Sequence, residues 1–322
     1  MMKKLSKNHR IYRTSRNYRE VVKLAKLKHV NVVIVGKHGG SSKEGKLLAS
    51  IKRMEYLFEL IRKFSPDLTI SFCSPEAARI SYGLGIKHVA YSDSPHAKAV
   101  MTLCVPFVQK LLTPWVIPKN EFVRYGISRK DIVHYRAIDA FVIVKEKSKI
   151  KKIPVDPSKK TIVIRPEERE ASYISGRLIS DKIIHEISKE SAKYNIIVLA
   201  RYDSQKNKLK DEFGKKILVM NNVVNGKSLL SITDVFVGSG GTMTAESALM
   251  GIPTVSYDAV PNYIEKYLVR IGLIRRETNP KKISFLVKNM LRDDKRNTEK
   301  AKKILDSMED PYLKLINTIK TM

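Results

Sequence analysis

The sequence predicts an α/β fold, two doubly wound (Rossmann-like) parallel-sheet domains, and three observations carry that expectation. Short runs rich in Val and Ile alternate with helix-period stretches along the whole chain. Those runs are apolar throughout instead of alternating with polar residues, as strands buried on both faces are. The length, 322 residues, exceeds what one hydrophobic core normally supports.

Strands are expected at 30–36, 68–72, 88–92, 140–144, 161–165, 195–200, 217–220, 234–238 and 253–257, with helices at 47–64, 76–83, 176–194 and 242–250. Residues 145–160, KEKSKIKKIPVDPSKK, are charged, contain two prolines and lack apolar periodicity. Such a composition suits an exposed connection. It divides the chain into an N-terminal domain, 1–150, and a C-terminal domain, 151–322. After Pro280 a Lys-rich helical tail begins, whose Ile283, Leu286, Val287 and Met290 require packing. The chain opens with the end of an amphipathic helix, Met1–Asn8, before a strand at Ile11–Thr14. A doubly wound domain begins on a strand and a glycine-bearing turn. The first strand, central in the 3-2-1-4-5 order, is therefore expected to be missing, with a natural start roughly 15–25 residues upstream.

Composition narrows the function. Hydrophobic residues at 43% and charged residues at 29% describe a globular chain. Sixty-one Lys+Arg against 32 Asp+Glu leave a net charge of +29. That excess attracts polyanions, namely nucleic acid, anionic lipid or phosphorylated ligands; abundant surface lysine is also a thermophile habit. Cys73 and Cys104 are too few for a disulfide framework or a four-cysteine zinc site and fit a reducing, cytoplasmic compartment. The histidines show no metal-ligand spacing, so no metal is expected. No secretory signal is visible, and the apolar stretch 99–112 is too short to span a bilayer and carries Lys110.

The strongest motif is DVFVGSGGTMTAESALMGIPTVS, residues 234–256. A strand ends at Gly238, Ser239-Gly240-Gly241 forms a turn that lets backbone approach a ligand, and a helix opens near Thr242. Free amides of the first helical turn, together with the helix dipole, make an anion site suited to phosphate. Glu246, one turn further, is placed to accept hydrogen bonds from sugar or ribose hydroxyls. A tight turn with small residues chosen for packing is the competing reading.

HVAYSDSPHAKAV, residues 88–100, sets Asp93 and His96 just after a strand, at the edge where open α/β sheets bind ligands. A histidine and a carboxylate in one loop serve as an acid/base pair. Alternatively, Asp93 caps the next helix and His96 is a surface residue. Gly40, Gly45 and Lys46 match the GxxxxGK phosphate loop, but Leu47 stands where Ser or Thr must hold magnesium, which excludes it. Lys37, His38, Gly39 and Gly40 then read as a basic loop. Arg165, Arg169, Arg201 and Gln205 follow two strand ends and together suit the phosphates and base of a nucleotide; scattered surface arginines are the alternative.

The segment SGGTMTAESALMGIPTVS resembles the nucleotide-binding stretch of the C-terminal domain in the GT-B superfamily. That group includes the lipid-linked N-acetylglucosaminyltransferase of peptidoglycan synthesis and the non-hydrolysing UDP-N-acetylglucosamine 2-epimerases. With VGKHGGSSKEGK, SPDLTISFCSPEAARISYGLGI, YSDSPHAKAV, VIRPEEREASY and VLARYDSQ, spread over nearly the whole chain, the sequence is most similar to an uncharacterised, mostly archaeal GT-B-like family. The resemblance implies two such domains with a cleft between them. It assigns the diphosphate to Ser239, Gly240, Gly241 and Thr242, and the ribose to Glu246. At Arg165-Pro166-Glu167-Glu168-Arg169 the sequence departs from the glycine-rich loop of the lipid-linked transferase, and Arg165 or Arg169 is expected to replace that phosphate contact.

The expected function is therefore a GT-B glycosyltransferase with a nucleotide sugar, UDP-linked, as substrate and no tightly bound cofactor. His96 or Asp93 would be the base, and Arg165, Arg169 and Arg201 would assist at the nucleotide. The basic surface and the apolar stretch 105–112 would dock on an anionic membrane. A sugar-nucleotide 2-epimerase, or a non-catalytic nucleotide- or polyanion-binding protein, are the alternatives. Nucleic acid is not expected, because neither an aromatic RNA-binding signature nor a DNA-binding module occurs.

Overall fold

Parallel pairing unites every strand pair among the described residues of the computed structural model. The structure describes residues 2–17, 19–40, 42–146, 152–167, 179–200, 203–220, 226–257, 262–293 and 297–322. The strands are β1 (Thr14–Asn17), β2 (Val33–Lys37), β3 (Leu68–Ser71), β4 (Lys87–Tyr91), β5 (Lys110–Pro114) and β6 (Ile132–Tyr135). They continue as β7 (Thr161–Arg165), β8 (Asn195–Leu199), β9 (Leu218–Met220), β10 (Val235–Gly238), β11 (Thr254–Ser256) and β12 (Arg275–Arg276). The chain divides into unit 1, Met1–Arg136 with Glu309–Met322, and unit 2, Ala137–Met308.

Unit 2 holds a six-stranded sheet in the order β12-β11-β10-β7-β8-β9. Chain order runs outward one way through β7, β8 and β9 and then outward the other way through β10, β11 and β12. The reversal between β7 and β10 is the topological switch point of the doubly wound plan. Side chains alternate between two cores: Ile162, Ile164 and Val237 face one, while Val163 and Phe236 face the other. Burial on both faces is why these strands read as unbroken apolar runs. The tail beyond Pro280 forms the helix Pro280–Asp293, whose Ile283, Val287 and Leu291 enter the first of these cores at fourfold spacing.

In unit 1, β3-β4-β5-β6 form one sheet and β1-β2 a second. No strand joins β1 to β3 among the described residues, which leaves a break between the two sheets. The difference in burial is marked: β4 and β5 are almost wholly buried, whereas Val33, Ile34, Ile70 and Phe72 around the break are exposed. Arg53 links the two parts, donating to the Val35 carbonyl at 3.1 Å and to Glu76 at 3.2 Å.

The structure corrects four expectations. Residues 140–144 form the helix Ala140–Lys145 instead of a strand. Ala140 and Phe141 are buried while Val142 and Ile143 stay exposed, so only one side is covered, as in a helix. The division falls at Arg136 instead of residue 150, because that helix packs against the helix Thr242–Leu249 of unit 2. The C-terminus returns to unit 1, where the Tyr91 hydroxyl donates to the Pro311 carbonyl at 3.1 Å and Leu315 is fully buried. Finally, Val105, Val108, Leu111 and Leu112 are buried, so the stretch assigned to membrane docking is core instead. No helix among the described residues is long and apolar enough to cross a membrane.

Candidate functional site

β10 ends at Gly238, whose backbone registers with Arg165 at the end of β7. The glycine turn therefore leaves the sheet at its switch point, where the carboxyl ends of diverging strands open a crevice. Gly238 has no room for a side chain, since a Cβ there would stand 2.3 Å from the Thr244 hydroxyl. Gly240 has φ +90°, a conformation that L side chains rarely adopt. Gly241 is the N-cap of the helix Thr242–Leu249 and offers no side-chain acceptor. The helix itself supplies no acceptor for its first amides, which leaves those of Thr242 and Met243 for an anion. Gly241 and Thr242 are exposed, while the rest of the helix is largely buried.

Helix Tyr263–Arg270 buttresses this turn from beneath. Asn262 caps it by accepting from the Glu265 amide at 2.8 Å, and its Nδ2 donates to the Gly240 carbonyl at 3.0 Å. The Glu265 carboxyl fills the space beside Gly240: one oxygen would lie 2.5 Å from a Cβ at that position. Both carboxyl oxygens are buried without a hydrogen-bond partner. Burial raises the Glu265 pKa above the ordinary carboxyl range, and the nearby Ser256 hydroxyl opposes that shift.

Around the turn, Glu246 is 9% exposed, and one of its oxygens lies 3.4 Å from a Cβ position at Gly226, the first residue of the helix Gly226–Ser231. Arg165 is half-buried and donates to the Leu199 carbonyl, at the end of β8, at 3.2 Å. Its neighbour Glu167 is buried and accepts from the Tyr257 hydroxyl at 2.7 Å. Gln205 is buried in the helix Asp203–Phe213 instead of facing solvent. Arg169 and Arg201 lie outside the described residues.

In unit 1, Asp93 and His96 follow β4 in one half-buried loop. Ser94 donates to Asp93 at 2.7 Å, and the Tyr125 hydroxyl holds the Pro95 carbonyl at 2.9 Å. The following helix, Lys98–Cys104, has Ala97 as N-cap, so Asp93 does not cap it. Burial lowers the pKa of His96 and nearby Asp93 opposes that shift, which leaves the imidazole neutral at pH 7. His38 accepts from the Gly40 amide at 3.2 Å and shapes the basic loop after β2. No cluster of three or more metal-ligating side chains occurs among the described residues.

Thus the structure brings together Ser239, Gly240, Gly241, Thr242, Glu246 and Arg165 at one sheet edge. It adds Glu167, Tyr257, Asn262 and Glu265, which sequence reasoning missed. Asn262-Tyr263-Ile264-Glu265 carries the N-cap and N3 pattern of a capping box. That signal locates the helix start but would turn the glutamate back toward its own cap, whereas it points to Gly240.

Comparison with known proteins follows the same architecture. The family described as Protein of unknown function (DUF354) matches residues 1–321, and the chain belongs to it. Uncharacterized protein MJ0665 of Methanocaldococcus jannaschii is 30% identical over 266 residues, covering 78% of this chain and 76% of that protein. Among solved structures, UDP-GlcNAc 2-epimerase from Neisseria meningitidis bound to UDP-GlcNAc aligns with TM-score 0.71 and 12% identity, over 99% of this chain and 94% of that one. MurG of Acinetobacter baumannii aligns with TM-score 0.59 and 13% identity, over 100% and 94%. The fold is therefore GT-B-like, shared with glycosyltransferases and epimerases.

Proposed function

We propose that this member of the DUF354 family is a GT-B-type glycosyltransferase that takes its sugar from a nucleotide-activated, UDP-linked donor. One observation carries the reading: the Ser239–Thr242 turn opens a helix at the switch point of the unit 2 sheet. Amides of Thr242 and Met243 and the helix dipole would stabilise charge growing on the departing diphosphate. Arg165 would add a cation, and Glu246 would accept from the ribose hydroxyls. In unit 1, His96 is neutral at physiological pH and would take the proton from an acceptor hydroxyl, with Asp93 stabilising the imidazolium.

Thermal unfolding with UDP-, GDP-, CMP- and dTDP-sugars tests the donor site. A ligand at a hundred times its Kd adds about 2.7 kcal/mol of stability. The UDP-sugar should stabilise the wild type, and Glu246→Ala should lose most of that gain while unfolding normally without ligand. No stabilisation by any nucleotide would overturn the reading. The epimerase neighbour at TM-score 0.71 supports a second reading, 2-epimerisation. Incubation with UDP-N-acetylglucosamine alone separates the two, since only epimerisation yields a new sugar nucleotide without an acceptor.

A further inference from the structure

The carboxyl of Glu265 is 3% exposed, and neither oxygen has a hydrogen-bond partner. It occupies the space that a side chain at Gly240 would take, directly under the turn whose outer face offers amides to an anion. A buried, ionised and unpartnered carboxylate is costly, and beneath an anion it would also repel the ligand.

We propose that Glu265 is a positioning residue for anion binding: as a neutral acid it props Gly240 in its left-handed conformation, and its ionisation weakens the hold of the turn on an anion. This rests on the reading that Ser239–Thr242 hold a diphosphate. Among the described residues, the elements packed around Glu265 supply no compensating cation. Ser256 approaches from β11, Gly240 from the turn, and Asn262 from its own helix. Glu246, on the helix after the turn, lies against Gly226. Lys266 and Arg270 share the helix of Glu265 but sit over the rings of Tyr263 and Tyr267 at 5.6 and 5.8 Å. Glu277 reaches Ser256 only through its backbone, while its carboxylate accepts from the amides of Thr278 and Asn279. Burial is the dominant influence on the group, and it favours the neutral form.

The sign of the linkage is set by the bound anion, which raises the carboxyl pKa further. Between the free and bound pKa values, binding takes up one proton, so affinity falls with rising pH by up to about tenfold per unit. Outside that window it is flat.

Calorimetry with UDP, and with sulfate as an anion that does not itself titrate, at pH 5 to 8 tests this in the wild type and Glu265→Gln. The expected result is that wild-type affinity declines relative to Glu265→Gln as pH rises, and that sulfate binding to wild type takes up a proton. Should the Gln variant not fold, proton uptake by the wild type alone decides the matter. Binding with parallel pH profiles, or with no proton uptake anywhere in the range, overturns the role of Glu265 and leaves the diphosphate reading intact. Failure of both probes to bind at pH 5 overturns that reading and this proposal with it.

Discussion

The hydroxyl of Tyr257 donates to the Glu167 carboxylate at 2.7 Å and so ties the end of β11 to the end of β7. It also lies 3.1 Å from the Arg165 carbonyl, while the Tyr257 amide donates to the Gly238 carbonyl at 3.0 Å. One residue, through its hydroxyl and its amide, thereby fixes three strand ends at the edge from which the glycine turn departs.

Tyr257→Phe should therefore destabilise unit 2 by about 1–3 kcal/mol, because it strips the partner from a buried carboxylate. The other Glu167 oxygen already lacks a hydrogen bond. Denaturant unfolding measures the loss, and adding Glu167→Gln should recover part of it. A cost equal to that of an exposed tyrosine substitution would mean that the pair carries no strain.

His88, fully buried on β4, is held between the hydroxyls of Thr69 at 2.8 Å and Ser71 at 2.9 Å. Burial lowers its pKa from 6.5 to about 4. The unfolded chain then binds the extra proton first as pH falls. The stabilising contribution is complete above pH 6.5 and is lost progressively toward pH 4. The slope is at most about 1.4 kcal/mol per pH unit, roughly 3 kcal/mol in all. Unfolding curves for wild type and His88→Asn between pH 4 and 7.5 should converge as pH falls; a constant gap would refute the assignment.

Leu315, in the C-terminal helix Pro311–Lys320, is fully buried. Leu315→Ala should cost about 2–5 kcal/mol. Because that helix belongs to unit 1, the loss should fall there and spare unit 2. Hydrogen exchange read separately at β4 and β8 checks this, and equal loss of protection in both would contradict the division.

Much of the fold was legible because its signals are local. Unbroken apolar runs such as Ile162-Val163-Ile164 in β7 need burial on both faces, and a parallel sheet provides it. The stretch 105–112 misled because Pro106, inside the short 3₁₀ turn Val105–Phe107, separates the helix Lys98–Cys104 from β5, and composition alone does not mark that change of period. At 140–144 a short apolar run fits either period, and packing against a neighbouring helix chose the helical one.

The sequence by itself determined the α/β class, the glycine turn and the helix that opens behind it, since strand burial, positive φ and helix starts depend on a few adjacent residues. Only tertiary structure decided which strand end stands beside that turn, which carboxyl fills the space at Gly240, and where the last helix packs. Those outcomes join residues far apart in the chain: Arg165 with Gly238, Tyr91 with Pro311. Their contacts arise from sheet order and packing, and no local pattern encodes sheet order.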